Sequence, residues 1–368
     1  MNIKKKFNAN PKSSIEWGRK KEWKALVLCF FLAGFLANIP TLFSIDPEWF
    51  VPRNIGLIIF LPLLLFVIWQ QKTPAKKVLF SLAIVTLGAA YINFLPGDEN
   101  NVLFVLVCLH MPVVFWGVFS YVALDAKWLS NLKRVTWLRF NGDLLLLIGL
   151  IILGGVLFSV LTVSLFEIVQ INFASFYFEK IVPWSIAPVP VLAHFLLLHN
   201  KSLVQKISRL IATLFTPFAF LTLLLFSFTL PFAKNTLFED RNLLLLFNII
   251  LFAVLALIIF SLSDPKNNKK KVWTMLLSAL ASLTLINNLL ALWAVCIRLL
   301  DGVISPNRLA ILGLNILAVL HLGFILGALI KMLKTGNKGQ TIENQIGRFI
   351  PFYVFWALVV AFLFPLAF

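Results

Sequence analysis

Long apolar runs alternate with short polar breaks along almost the whole chain. Most runs are about 20 residues long, the length that an α-helix needs to cross the hydrocarbon core of a bilayer. Charged residues, Pro, Gly and Asn mark the breaks between them. The pattern predicts an all-α fold, a polytopic transmembrane helix bundle of about 11 spans. The predicted spans are Ala25–Phe43, Ile55–Trp69, Val78–Leu95, Val102–Leu124, Leu144–Phe166, Pro183–Leu198, Leu210–Leu230, Asn242–Leu262, Val272–Ile297, Leu309–Ile330 and Phe349–Phe368.

Three of the predicted spans have features that a regular membrane helix lacks. The second and sixth runs are short, so each is expected to be tilted, kinked or re-entrant. Pro183, Pro188 and Pro190 make the sixth run the predicted broken helix. In the tenth run, Gly323 and Gly327 have the GxxxG spacing, which predicts close helix packing.

The distribution of basic residues predicts the orientation. With the N-terminus inside, the inner segments hold 26 of the 32 Lys and Arg residues. The first apolar run is longer than the core of a signal peptide, which indicates an uncleaved first span. We therefore expect residues 1–24 to form a basic cytoplasmic segment and 25–368 a single multi-span domain, with the C-terminus outside. The six basic residues predicted outside are Arg53, Lys180, Lys234, Arg241, Arg298 and Arg308.

Composition supports a membrane protein over a nucleic-acid-binding one. Apolar residues make up 60% of the chain and charged residues 13%, against about 45–50% and 25% in soluble domains. The net charge of +17 is spread over short loops, with no basic domain. Anionic lipid headgroups are the partners expected at the basic inner loops, and membrane proteins are possible further partners. We expect the cell inner (cytoplasmic) membrane as the location, and no cofactor, metal or nucleic acid.

The stretch from Trp293 to Arg308 concentrates charge between two apolar runs. Arg298, Asp301 and Arg308 all fall on the predicted outer side. If the ninth helix continues to about residue 301, Asn287, Arg298 and Asp301 lie near one face of it. Polar groups within a membrane are costly, so such a face indicates a ligand site or a helix–helix contact.

This stretch resembles an uncharacterised bacterial membrane family, domain of unknown function 4153. The family pattern has a Trp, then an Arg, an acidic residue and a second Arg ten positions after the first. The chain departs from it at Val303, where Gly is usual, and at Gly302, which occupies the aromatic position. The resemblance covers helices nine and ten clearly and about residues 140–330 by hydropathy, and it implies a multi-span inner-membrane protein without an established activity. The matching residues are Trp293, Arg298, Asp301, Ile304, Ser305, Pro306, Asn307 and Arg308.

A wider ligand pocket is one hypothesis for the polar residues inside the runs. Asn248 and Asn315 lie about two turns from the outer ends of their helices and could join Asn287 and Arg298 in one outward-facing pocket. The structural alternative remains open, because Arg298 can snorkel to the interface and Ser305 can cap the tenth helix. Further intramembrane polar candidates are His110, His321 and Asn288.

Three functions remain open at this stage. The first is binding or transport of an anionic lipid or small solute at Arg298 and Arg308, since the guanidinium fork suits phosphate and carboxylate. The second is a membrane enzyme acting on lipid-linked substrates, with His110 or Asp301 as its base. The third is a scaffold subunit, which predicts no pocket. No nucleotide-binding loop, HExxH motif or GxSxG elbow favours a particular enzyme class.

Overall fold

Helices account for nearly all of the residues that the computed structural model describes. It describes residues 17–98, 100–168, 170, 172–230, 241–263, 271–300, 302, 304–335 and 340–368. Within these ranges, 11 helices are long and apolar enough to cross a membrane, and no strand occurs. The predicted all-α fold with about eleven spans is therefore confirmed.

The helix boundaries extend most of the predicted runs by several polar residues. Two of the helices contain a π-helical turn, at Tyr177–Ile181 and Val359–Leu363. In chain order the helices are α1 (Lys20–Phe43), α2 (Pro47–Gln71), α3 (Ala75–Phe94), α4 (Val102–Leu124), α5 (Asn131–Ile168), α6 (Ala174–His199), α7 (Lys201–Thr229), α8 (Arg241–Leu262), α9 (Lys271–Leu300), α10 (Pro306–Thr335) and α11 (Gln340–Leu358, continued by Val359–Leu363 and Phe364–Ala367).

Short polar side chains begin several of the helices. The Asp46 carboxylate accepts a hydrogen bond from the Glu48 amide ahead of α2, and Pro47 occupies the first helical position. Asn101 accepts from the amides of the second and third residues of α4. At α10, Ser305 Oγ accepts from the Arg308 amide at 3.4 Å, as expected of its predicted capping role.

The two short runs belong to helices of full length. Helix α2 has 25 residues because it begins at Pro47, eight residues before the predicted run. Helix α6 starts at Ala174 and is interrupted at Ala187 and Pro188 before it resumes at Val189. The predicted break in the sixth span is confirmed, and both helices are long enough to cross a bilayer.

The described residues pack as two compact units. The first contains residues 17–50, 58–74 and 142–208, and the second contains 51–57, 75–141 and 209–368, apart from the residues that the structure leaves undescribed. In the second unit, α9 and α10 form the most extensive helix pair. Small side chains bring their backbones together, because Ala281, Ala291, Ala294 and Ala318 are fully buried at the core.

Aromatic side chains fill the first unit. Phe195 of α6 is fully buried and packs edge-on against Trp23 of α1 and Phe66 of α2. Gly34 of α1 leaves room for the Trp184 ring of α6. At the polar end of this unit, Glu22 accepts from the Arg19 guanidinium at 3.1 Å and lies 3.2 Å from His199 Nε2.

Arg53 lies within a helix instead of the predicted outer loop. It is in the second turn of α2, only 4% exposed, and its guanidinium donates to the Gly97 carbonyl at 2.7 Å. The guanidinium carbon also lies 4.3 Å from the centre of the Phe104 ring. These contacts tie the beginning of α2 to the α3–α4 connection, so Arg53 is structural.

The GxxxG pair does not mark a close approach in this chain. A Cβ atom at Gly323 or Gly327 would meet no described atom within 4 Å. The predicted close packing at this pair is therefore absent among the described residues. Gly347 of α11 is a position of close contact with backbone atoms, since a Cβ there would collide with the carbonyl oxygen of Asn131 at the beginning of α5.

We predict that Gly347→Ala destabilises the protein while Gly323→Ala does not. Adding a methyl group against backbone atoms forces a shift that typically costs about 1–3 kcal/mol. The midpoint of thermal unfolding in mild detergent measures both effects, with Gly327→Ala as a second control. Equal midpoints for Gly347→Ala and the wild type would contradict the close approach of α11 to Asn131.

Candidate functional site

A cavity of about 530 Å³ lies in the second unit where four helices meet. Three of them begin there, α4, α8 and α10, whereas α9 ends there. Arg298 and Arg308 both line it, so the structure brings the two predicted arginines into one site. The other lining residues are Val102, Leu244, Leu245, Val295, Ser305, Pro306, Asn307 and Ile311.

Backbone dipoles make the cavity electropositive in addition to the two side chains. A helix N-terminus carries about half a positive charge from its unsatisfied amide groups. Val102 is the first residue of α4, Leu244 the fourth of α8 and Pro306 the first of α10. Three helix N-termini and two guanidinium groups therefore lie at a cavity whose other lining residues are aliphatic, apart from Ser305, Pro306 and Asn307. Such an arrangement favours an anion, or an amphiphile with an anionic group.

A backbone contact positions the Arg308 guanidinium. Its Nη1 donates to the Arg298 carbonyl oxygen at 2.6 Å, which also satisfies an acceptor in the last turn of α9. A Cβ atom at Gly302 would lie 2.6 Å from that same Nη1 and 3.3 Å from the same carbonyl. Glycine at 302 thus leaves the space that the guanidinium occupies. In the sequence, Gly302 is noticeable only as a departure from the family pattern; it belongs to the site because its backbone lies beside the Arg308 guanidinium.

The asparagines of the predicted pocket lie deeper than the cavity and do not line it. Asn248 follows Leu244 by one helical turn, and Asn315 follows Ile311 by one turn, so each lies below a lining residue. Asn287 lies roughly 20 Å along α9 from its C-terminal end. All three are 4% exposed or less. Asp301, the other residue proposed for the pocket, lies outside the described residues.

The buried amides differ in how well they are satisfied. Asn287 Nδ2 donates to Ser227 Oγ of α7 and to the Leu283 carbonyl, each at 2.8 Å. The amide groups of Asn248 and Asn288 donate only to carbonyls of their own helices, and their oxygens have no partner among the described residues. Neither side-chain amide atom of Asn315 has one within the described part of the chain. Asn287 is therefore a helix cross-link, whereas Asn315 is buried without compensation.

The two histidines proposed as intramembrane polar sites have structural partners. His110 Nδ1 donates to the Leu106 carbonyl at 2.8 Å, one turn earlier in α4. His321 Nδ1 lies 3.2 Å from the Tyr353 hydroxyl of α11, and its ring stacks on Phe349 at 4.5 Å. Neither residue lines the arginine cavity. Among the residues that the structure describes, no group of three or more His, Cys, Asp or Glu could hold a metal.

Comparisons with family models, curated proteins and solved structures find no match to this chain. The resemblance at Trp293 to Arg308 thus stays a hypothesis, and the geometry of the cavity carries the functional argument.

We predict different effects on stability for substitutions of two buried asparagines. Asn287→Leu removes the hydrogen bond to Ser227 and is expected to lower the free energy of unfolding by about 0.6–2 kcal/mol. Asn315→Leu replaces an amide without protein partners by an apolar group of similar size, so stability is expected to stay the same or to rise.

The unfolding midpoints of the two variants measure these effects. Adding Ser227→Ala and the double variant Ser227→Ala/Asn287→Leu completes a double-mutant cycle, which isolates the interaction energy between Ser227 and Asn287. A loss of stability in Asn315→Leu as large as that in Asn287→Leu would show that the Asn315 amide is bonded after all.

Proposed function

We propose that this multi-pass membrane protein binds an anionic lipid or small solute in the arginine cavity and that the cavity opens to the outer side. The observation that carries this proposal is that Arg298 and Arg308 share one cavity with the N-terminal ends of three helices. A scaffold subunit needs no such concentration of positive charge at one cavity. Transport is the wider form of the proposal, in which the bound anion moves on between the helices.

The dimensions of the cavity suit a small ligand or the headgroup of a larger one. Its volume falls within the range of about 300–1,000 Å³ that is common for small-molecule sites. Leu244, Leu245 and Val295 supply an apolar wall for a hydrocarbon portion. Leu245 is also 41% exposed at the protein surface, so an acyl chain could leave the cavity past this residue.

The enzyme alternative has less support than binding. A general base must reach the reacting group in the site, but His110 donates to its own helix and does not line the cavity. The other candidate base, Asp301, is outside the described residues. We therefore propose binding or transport as the function. Detection of substrate turnover would establish catalysis instead.

We propose the cytoplasmic membrane and an N-inside, C-outside orientation, on the strength of the positive-inside pattern. The geometry of the second unit agrees with the alternation: the four helix ends at the cavity are ones that the pattern assigns to a single side. Reversing the whole chain would keep this agreement, so the absolute orientation rests on the basic residues alone.

We predict that removing the two arginine charges abolishes ligand binding without unfolding the protein. Native mass spectrometry in mild detergent would compare the wild type with Arg298→Gln/Arg308→Gln for an anionic co-purifying mass. Arg348→Gln is the charge control, because Arg348 is exposed on α11 and does not line the cavity. The adduct is expected in the wild type and in the control, and is expected to be lost from the double variant.

Gly302→Ala sharpens the test because it keeps both charges. The added methyl group displaces the Arg308 guanidinium, so the adduct should weaken by roughly the factor of 10–100 that a lost charge-assisted hydrogen bond causes. A folded Arg298→Gln/Arg308→Gln variant that retains the same adduct as the wild type would overturn the proposed site.

Reporter fusions test the proposed orientation. Alkaline phosphatase fused after Phe368 is expected to be active, since it folds only outside the cytoplasm, and green fluorescent protein at the same position to be dark. Fusions after Thr335, at the end of α10, should give the reverse pattern. Active phosphatase after Thr335 together with fluorescence after Phe368 would show that the chain runs the other way.

A further inference from the structure

A second cavity, of about 430 Å³, opens between α1 and α2 in the first unit. Its walls are almost wholly apolar, and two lysines line one end of it through their hydrocarbon stems. We call it the basic groove. It is lined by Lys21, Lys24, Ala25, Leu28, Cys29, Leu32, Leu65 and Trp69.

The groove follows one face of α1. Its six α1 residues, from Lys21 to Leu32, follow the helical pattern i, i+3, i+4, i+7, i+8 and i+11, so they form a single stripe. The stripe is about 16 Å long at the rise of an α-helix. Leu65 and Trp69, one turn apart on α2, close the other side. Leu28 is 72% exposed and Cys29 is buried, so the groove has an open side and an apolar floor.

Positive charge collects at only one end of the groove. Lys21 and Lys24 are exposed in the first two turns of α1, where the helix dipole adds further positive potential. Glu22, the acidic residue between them in sequence, is engaged by Arg19 and His199. Trp69 is 43% exposed beside the lysines, and tryptophan prefers the depth of the lipid headgroups.

We propose that the basic groove is a specific binding site for one anionic phospholipid. The lipid phosphate lies between Lys21 and Lys24, and an acyl chain follows the leucines of α1 and Leu65. A zwitterionic lipid carries its own cation beside the phosphate and gains less from the two lysines. Under the proposed orientation the site faces the cytoplasmic leaflet. It is independent of the arginine cavity, because the two sites share no residue.

Native mass spectrometry with added phosphatidylglycerol or phosphatidylcholine tests this site. The wild type is expected to retain one phosphatidylglycerol more tightly than any phosphatidylcholine. Lys21→Gln/Lys24→Gln should weaken that binding about tenfold to thirtyfold. Each lysine near an anionic surface typically strengthens the binding of an anionic lipid about three- to fivefold, and two such factors multiply. Inorganic phosphate should not displace the lipid, because it lacks the acyl chain.

Lys331→Gln/Lys334→Gln is the matched control. These lysines are also exposed, three positions apart and at the basic end of their helix α10, but they do not line the groove. The control variant should bind phosphatidylglycerol as the wild type does. Leu32→Trp fills the apolar part and is expected to weaken retention of both lipids while leaving the lysines in place.

Three results would overturn the proposal. The first is equal retention of the two lipids by the wild type. The second is unchanged phosphatidylglycerol binding in the folded Lys21→Gln/Lys24→Gln variant, and the third is an equal loss in the Lys331→Gln/Lys334→Gln control. If the double variant does not fold, Lys24→Gln and Leu32→Trp decide, and unchanged binding in both rejects the groove. These outcomes do not depend on whether the arginine cavity binds a ligand, because the two sites share no residue.

Discussion

Backbone hydrogen bonding in a medium without water is the constraint on which the whole structure depends. A segment in the hydrocarbon must satisfy its own amide and carbonyl groups, and a helix does so everywhere except in its first and last turns. The unsatisfied groups therefore gather at the two membrane surfaces. The even-numbered helices α4, α8 and α10 all begin at the arginine cavity, as expected of helices that start at the same membrane surface.

The arginine cavity follows from this arrangement. Where α4, α8 and α10 meet, their N-terminal ends contribute positive potential, and α9 contributes the opposite, carbonyl end. Arg298 in the last turn of α9 complements that carbonyl end, and Arg308 donates to the Arg298 carbonyl across the connection. The local structure explains why each arginine is held there. The two side chains and the three helix starts concentrate positive charge at one cavity, and the proposed anionic ligand would complement it.

The same physics applies to the first unit on a smaller scale. The beginning of α1 offers two exposed lysines beside an apolar groove, whereas its one acidic residue there is already engaged. Both proposed sites thus pair a positive helix start with a hydrocarbon wall. A phosphate attached to an acyl chain matches that combination, and a membrane supplies such molecules in excess.

The sequence predicted the helices well because hydropathy reports the membrane directly. The sequence also predicted that Arg298 and Arg308 lie at the same membrane surface, because each is next to the end of an apolar run. The sequence could not show which side of each helix contacts which neighbour, because helices that are apolar all round have no polar stripe. Only their similar depth in the membrane suggested that Asn248, Asn287 and Asn315 share a pocket with Arg298. The structure buries these asparagines below the cavity and gives Asn287 a partner on α7 that no spacing could reveal. Arg53 was similarly assigned to a loop because its contacts with Gly97 and Phe104 are distant in sequence.

Access to the arginine cavity from the outer side is the central claim, and one labelling measurement tests it. The three native cysteines would be replaced by serine and Asn307, which lines the cavity, by cysteine. Intact cells would then be treated with a membrane-impermeant maleimide. The account predicts labelling of Asn307→Cys in intact cells, and slower labelling when both arginines retain their ligand than in the Arg298→Gln/Arg308→Gln background. Labelling only after the membrane is permeabilised would contradict it, because the cavity would then open to the cytoplasm.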